Sequence, residues 1–103
     1  MSDPVLLTQL VWLHPGKESL FEKFEDAMIP LMERHGGELL MRERPSRESL
    51  VGAAVDPPDE IHVLRFASEA ASKAYADDPE RARLLPLKEE SVRASLLVRG
   101  AVV

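Results

Sequence analysis

The segment VLLTQLVWLH, residues 5–14, limits the fold more than any other part of the chain. Its β-branched and bulky apolar residues predict a strand, whose side chains alternate between two faces. One face carries Val5, Leu7, Gln9, Val11 and Leu13, and the other carries Leu6, Thr8, Leu10, Trp12 and His14. Both faces are mostly apolar, so we expect both to be covered in the folded protein.

The rest of the chain alternates between helical and strand patterns. The helical period begins at Lys17 and ends at Gly36-Gly37, where Gly36 suits a left-handed cap. Ser68 and Asp78-Pro79 are start signals for further helical segments. Three more strands are predicted at residues 38–44, 60–67 and 91–103. The order is β-α-β-β-α-β, which predicts one α+β domain over residues 1–103 with a ferredoxin-like fold and a four-stranded antiparallel sheet.

Helices in this arrangement cover one face of the sheet and leave the other face bare. Here the second face is also largely apolar, and a bare apolar face of this size usually meets a partner. The simplest partner is a second copy of the chain, related by a two-fold axis. We therefore expect a homodimer formed through the open face of the sheet.

Composition excludes several classes of function. The net charge of −5 and the sequence pI of about 5.2 argue against a nucleic-acid-binding protein. The cluster Arg42, Arg44 and Arg47 is interpreted as a solvated strand end rather than a phosphate site. The chain has no cysteine, so disulfides and thiolate catalysis are excluded. No signal peptide or membrane span is recognised, and we expect a cytoplasmic protein.

Two stretches resemble a known superfamily. HPGKESLFEKFEDAMIPLMERHGGELLMR resembles the helix-to-strand segment of the dimeric α+β barrel proteins, with Pro-Gly, an amphipathic helix, Gly-Gly and a strand. DPPDEIHVLRFASEAASKAYADDPERARLLPLKEES resembles the second half of a small bacterial family of unknown function in that superfamily. Together the stretches cover most of the chain.

The resemblance implies a homodimer in which two sheets pack face to face into a barrel. Each subunit would keep a pocket between its own sheet and helices. Distant relatives include antibiotic-biosynthesis monooxygenases that need no cofactor, and we expect no cofactor here. Because one fold hosts many activities, the resemblance identifies the fold better than the function.

The candidate catalytic residues are His14 and His62, because an unperturbed histidine titrates near neutrality. His14 ends the first strand, where it either acts as a base or merely caps a turn. His62 and Arg65 lie three apart on one strand and must point to opposite faces. We favour His62 on the ligand side and Arg65 at the interface, paired with a carboxylate from Asp56, Glu38, Glu43 or Glu60.

The other candidates are side chains that could contact a ligand. The residues expected to bind substrate are Trp12, Phe24, Met28, Arg65, Phe66 and Tyr75. Trp12 could hold a flat ring, although such residues more often belong to the core or to a dimer contact. The three histidines have no metal-ligand spacing, so no metal site is predicted.

Three functions remain open. The first is binding of a small, mostly apolar organic molecule between the sheet and the helices. The second is a cofactor-independent monooxygenase or isomerase of an aromatic or polyketide-like substrate, with His14 or His62 as the base. The third is a structural or accessory role, in which Trp12, Phe24, Met28 and Phe66 fill the pocket.

Overall fold

A computed structural model describes residues 3–46, 48, 50–52 and 54–103. Its elements in chain order are β1 (Val5–Leu13), α1 (Glu18–Arg34), β2 (Glu38–Glu43), β3 (Glu60–Phe66), α2 (Glu69–Ala76), α3 (Pro79–Ser91) and β4 (Val92–Ala101). The predicted strands are confirmed to within a few residues at their ends. The two helical segments expected after Ser68 and Asp78 are α2 and α3, and α3 continues through Pro86.

Cap residues explain why the second helical region divides. The Ser68 hydroxyl accepts a hydrogen bond from the Ala71 amide at 3.1 Å and begins α2. The Asp78 carboxylate accepts from the Glu80 amide at 2.8 Å and begins α3, with Pro79 in its first turn. Gly36 follows α1 with a φ of 78°, a left-handed value that favours glycine.

The four strands form one antiparallel sheet in the order β2-β3-β1-β4. Gln9 of β1 lies opposite His62 of β3 and Leu97 of β4, so these three side chains share one face. The α+β, ferredoxin-like fold expected from the sequence is therefore confirmed.

The core lies between the sheet and α1, which also packs against α3. Its buried members come from β1 and α1: Val11, Leu13, Phe21, Phe24, Met28 and Leu31. The chain enters β2 through Gly37, where an added Cβ would lie 2.5 Å from Met32 Cγ and 2.9 Å from the Phe66 ring. Only glycine fits between these side chains without displacing them.

The other face of the sheet carries no helix. Met41, Leu96 and Val98 lie on it and are 40%, 50% and 51% exposed. The register places Leu6, Leu10, Ile61 and Val63 on the same side. We refer to these seven residues as the open face. In the part of the chain that the structure describes, no helix is both long and apolar enough to span a membrane.

Candidate functional site

The covered face of the sheet buries a cluster of charged side chains. Glu60 and His62 are two residues apart on β3, so both point toward the helices. They are 3% and 2% exposed. Arg42 lies opposite His62 on β2 and therefore points the same way. A short stretch of sheet thus delivers a carboxylate, an imidazole and a guanidinium to one buried location.

Glu60 is the centre of this cluster. It accepts hydrogen bonds from Arg42 Nε at 2.7 Å and from His62 Nε2 at 2.8 Å, with Arg44 Nε at 3.4 Å. Burial alone would raise the pKa of Glu60, but the hydrogen bonds from His62 and Arg42 outweigh it and lower the pKa to about 2. Glu60 is therefore ionised at neutral pH, and it orients the His62 ring.

Helix α1 adds a second carboxylate. Glu25 is 9% exposed, and its Oε2 lies 3.8 Å from His62 Nδ1. Phe21, one turn earlier, stacks on the imidazole with 6.2 Å between ring centres. Burial raises the pKa of Glu25, and the attraction of His62 and Arg42 offsets only part of that effect. The two carboxylates near His62 therefore have opposite protonation tendencies.

This arrangement assigns different roles to the two nitrogens of His62. An ionised Glu60 accepts the hydrogen on Nε2, so Nδ1 carries the free lone pair of the neutral ring. Nδ1 faces Glu25 at a distance longer than a hydrogen bond. The imidazole can therefore accept a proton at Nδ1 while Glu60 stabilises the resulting cation.

A cavity of about 50 Å³ lies beside this cluster, between the sheet, α1 and α3. Its lining is half polar and half apolar: Gln9, Glu25, His62, Tyr75, Arg81 and Lys88 on one hand, and Phe24, Met28, Ile29, Met32, Leu39 and Leu64 on the other. Pockets for drug-sized ligands are about 300–1,000 Å³. In this conformation the cavity holds only a group of a few atoms.

The structure brings four of the predicted site residues to the cavity: Phe24, Met28, His62 and Tyr75. Phe66 is fully buried and packs against Tyr75 with ring centres 5.5 Å apart. It supports the cavity wall from behind. His62 faces the helices and Arg65 faces the open side, which is the orientation that the sequence analysis favoured.

Three predicted residues lie elsewhere. Arg65 is on the opposite side of the sheet, 3.9 Å from Glu38. Trp12 is on that side too, and its Nε1 donates to the Asp56 carbonyl at 3.0 Å. His14 is exposed after β1 and borders a surface cleft of about 370 Å³ that does not include His62. His14 and His62 therefore do not share one pocket in the described structure.

Sequence reasoning missed Glu25, Glu60, Arg81 and Lys88 as site residues. The spacing of Glu25 from Phe21 and Met28 places it on the buried face of α1. Because side chains alternate along a strand, Glu60 lies on the same face of β3 as His62. Both signals were readable from the sequence.

The arginine cluster was also misinterpreted in part. Arg42 is bound to the buried Glu60, so it is not a solvated strand end. Arg44 is more exposed and pairs with both Glu22 and Glu60. Arg47 lies outside the described residues. Within those described, no group of three or more His, Asp or Glu side chains is placed to hold a metal ion.

The sequence matches the model of a domain family of unknown function, DUF1330, over residues 11–101. No curated protein matches it. The match extends from the last three residues of β1 to the end of β4, so it includes the whole charged cluster.

Solved structures similar to this chain confirm the fold. A protein of unknown function from Rhodopseudomonas palustris is 20% identical, with a TM-score of 0.85 over 100% of this chain and 85% of that one. A dabb family protein with a ferredoxin-like fold from Mesorhizobium loti is 15% identical, with a TM-score of 0.73 over 99% of each chain. SnoaB, a cofactor-independent oxygenase from Streptomyces nogalater, is 11% identical, with a TM-score of 0.71 over 99% and 95%. At these identities the likeness extends to the ferredoxin-like fold alone.

Proposed function

The chain belongs to the DUF1330 family, and we propose that it forms a cytoplasmic homodimer in which each subunit binds a small organic molecule between sheet and helices. The observation that carries this proposal is the half-polar cavity beside Glu25 and His62. Buried ionisable groups are costly, and an apolar core of the same shape would be at least as stable. Cavities that combine such groups with apolar walls are typical of binding sites.

The size of the cavity limits the ligand. A volume of about 50 Å³ fits several non-hydrogen atoms at most, since one water already needs about 10–15 Å³ by the same measure. A larger ligand requires side chains to move. Met28 and Met32 line the cavity from α1, and their unbranched chains repack more readily than Phe24. We therefore propose that the apolar part of a ligand enters toward the methionines.

The proposed homodimer uses the open face. An antiparallel sheet that exposes Met41, Leu96 and Val98 together presents an apolar patch of the kind that marks an interaction site. A two-fold axis through that patch would cover the same residues on both subunits. The cavity lies on the other side of the sheet, so a dimer leaves it accessible from the helices.

Native mass spectrometry of protein freshly purified from cells tests both the homodimer and the bound organic molecule. We expect twice the chain mass of 11.5 kDa, with added mass from a retained ligand. Met28→Trp places an indole in the cavity and should remove the added mass. Leu97→Trp, at an exposed position outside both the cavity lining and the open face, should keep it. A monomer would exclude the barrel. If the dimer carries no added mass, NMR titration with small acidic and neutral molecules becomes the test of binding. Failure of these molecules to perturb any cavity amide would exclude the binding site.

A second candidate is a cofactor-independent monooxygenase or isomerase with His62 as the base. The specific support is the 2.8 Å hydrogen bond between Glu60 and His62 Nε2, which leaves Nδ1 as the proton acceptor. The similarity in fold to the oxygenase SnoaB is consistent with this candidate. A polycyclic substrate would need a cavity several times larger than about 50 Å³, so this function requires the helices to open.

Oxygen uptake with hydroxylated aromatic substrates, without added cofactor, tests the monooxygenase. Conversion to a product of unchanged mass without oxygen uptake tests the isomerase. His62→Ala should lower any turnover at least about 100-fold, the usual contribution of a general base. His35 is partly buried, pairs with Asp78 and does not line the cavity, so His35→Ala is the matched control and should keep the activity. If turnover survives in a variant with alanine at both His14 and His62, neither histidine is the base.

A further inference from the structure

Helix α3 brings two cations to the cavity. Arg81 and Lys88 are seven residues apart, so they lie on one face of the helix, two turns from each other. The Arg81 guanidinium lies over the Tyr75 ring, 5.4 Å from its centre. Its Nε is buried, and no described residue accepts a hydrogen bond from it. A buried donor without an acceptor is rare and costly in folded proteins.

The charges around the cavity do not balance. The ionisable groups that line it are Arg81, Lys88, Glu25, His62 and Tyr75. Glu25 is the single carboxylate in this lining. Burial raises its pKa and so favours its neutral, protonated form. Burial and the neighbouring Arg81 lower the pKa of Lys88, and the attraction of Glu25 offsets only part of that effect. Glu60 does not supply the balancing negative charge, because Arg42, Arg44 and His62 already surround that carboxylate.

We propose that the cavity ligand is a small carboxylic acid whose carboxylate accepts a hydrogen bond from Arg81 Nε and is attracted by Lys88. This inference rests on the proposed binding function and names the chemical class of its ligand. A carboxylate matches the planar donors of a guanidinium and would supply the missing negative charge. The adjacent walls from Phe24, Met28 and Leu64 take a short apolar tail. The volume of about 50 Å³ favours a short-chain acid over a phosphate ester of an organic molecule.

Propionate and propionamide are the probes that separate charge from shape. Both have the same number of non-hydrogen atoms, but only propionate carries the charge. We expect propionate to bind at least tenfold more tightly in an NMR titration of the intact dimer. We also expect it to shift the Nε–H resonance of Arg81, which is assigned by its disappearance in Arg81→Lys.

Two variants isolate the role of the guanidinium. Arg81→Gln should weaken propionate binding about 10- to 100-fold, the range of a lost charge-assisted hydrogen bond. Arg83→Gln makes the same exchange at an exposed position of α3 and should bind propionate as the natural chain does. The wild-type Nε–H shift keeps the test decisive if Arg81→Gln fails to fold.

The outcomes distinguish the two proposals. If propionamide perturbs the cavity amides as strongly as propionate does, and the Arg81 resonance stays unmoved, the carboxylate inference is wrong and the binding function stands. If neither probe perturbs any cavity amide, both are overturned. A propionate-specific shift that persists in Arg81→Gln would also overturn the inference, because another residue would then hold the charge.

Discussion

The two faces of the sheet invert the usual distribution of side chains. The face covered by helices buries Glu60 and His62 and receives Glu25 from α1. The uncovered face exposes Leu96 and Val98. In an isolated antiparallel sheet of one layer, the covered face is normally apolar and the bare face polar.

The inversion has a different explanation on each face. Apolar residues on the bare face remain exposed only until another apolar surface covers them, which points to a partner. Charges on the covered face are paired with one another, but pairing rarely makes a buried charge more favourable than an apolar residue. These buried charges therefore indicate a role in catalysis or ligand binding and not a contribution to stability. One strand, β3, contributes to both faces through the alternation of its side chains.

The largest expected effect concerns the covered face. Glu60→Ala leaves His62 and Arg42 without their shared carboxylate, and removal of one partner from a buried charged cluster costs about 3–5 kcal/mol. Chemical denaturation at fixed protein concentration measures the loss. Glu33→Ala, at an exposed position of α1, is the control and should change stability by less than about 0.5 kcal/mol. Equal effects in the two variants would show that the cluster is not structurally coupled.

The pH dependence of stability should separate the two buried carboxylates. The pKa of Glu60 is lowered from 4.5 to about 2, so its contribution is complete above pH 4.5 and disappears as pH falls toward 2. The loss of this contribution lowers the free energy of unfolding by about 3 kcal/mol. The pKa of Glu25 is raised, so the folded state holds its proton more tightly than the unfolded state. Stability from this group therefore increases as pH falls through the raised pKa toward 4.5.

The Glu25 contribution rises as pH falls from neutrality, and the Glu60 contribution is lost at lower pH. The free energy of unfolding should therefore have a maximum on the acidic side of neutrality. Glu25→Gln should remove the rise between neutral pH and the maximum and keep the fall below pH 4.5. Urea denaturation across this range, at one protein concentration, is the measurement. A wild-type profile that only declines from pH 7 downward would contradict the assignment of Glu25.

Two adjacent leucines of β4 test the open face. Leu96 and Leu97 are 50% and 57% exposed, but Leu96 faces the open side and Leu97 faces the helix side. Leu96→Lys should weaken the proposed dimer at least about 100-fold, because a charge would enter its apolar interface. Leu97→Lys should keep the dimer. Light scattering over a dilution series distinguishes them, and equal dissociation constants would remove the open face as the interface.

The sequence predicted the fold well because the fold depends on local signals. The alternation in residues 5–14, the caps at Ser68 and Asp78, and the stop at Gly36-Gly37 each act within a few residues, and each is found in the structure. The division into α2 and α3 was indicated by the same cap signals. Helix α3 continues through Pro86, because a helix can tolerate one proline where tertiary packing supports it.

The candidate site was predicted less completely because it depends on contacts between distant segments. Glu25 and His62 are 37 positions apart, yet their side chains lie 3.8 Å from one another. Arg81 and Lys88 lie in a polar helix, and only the packing of α3 on α1 places them at a cavity. Periodicity assigns a residue to a face but does not identify which charges meet there.

The smallest expected effect concerns Trp12, which lies on the same side of the sheet as the open face. Trp12 Nε1 donates to the Asp56 carbonyl at 3.0 Å, which ties the segment before β3 to β1. Trp12→Phe keeps the aromatic surface and loses this one hydrogen bond, so unfolding should become easier by about 0.5–1.5 kcal/mol. Propionate affinity should stay within twofold, because the backbone of the sheet separates Trp12 from Arg81 and Tyr75. A large change in affinity would mean that the two faces are coupled through the sheet, and the open face would then have to be treated as part of the binding site.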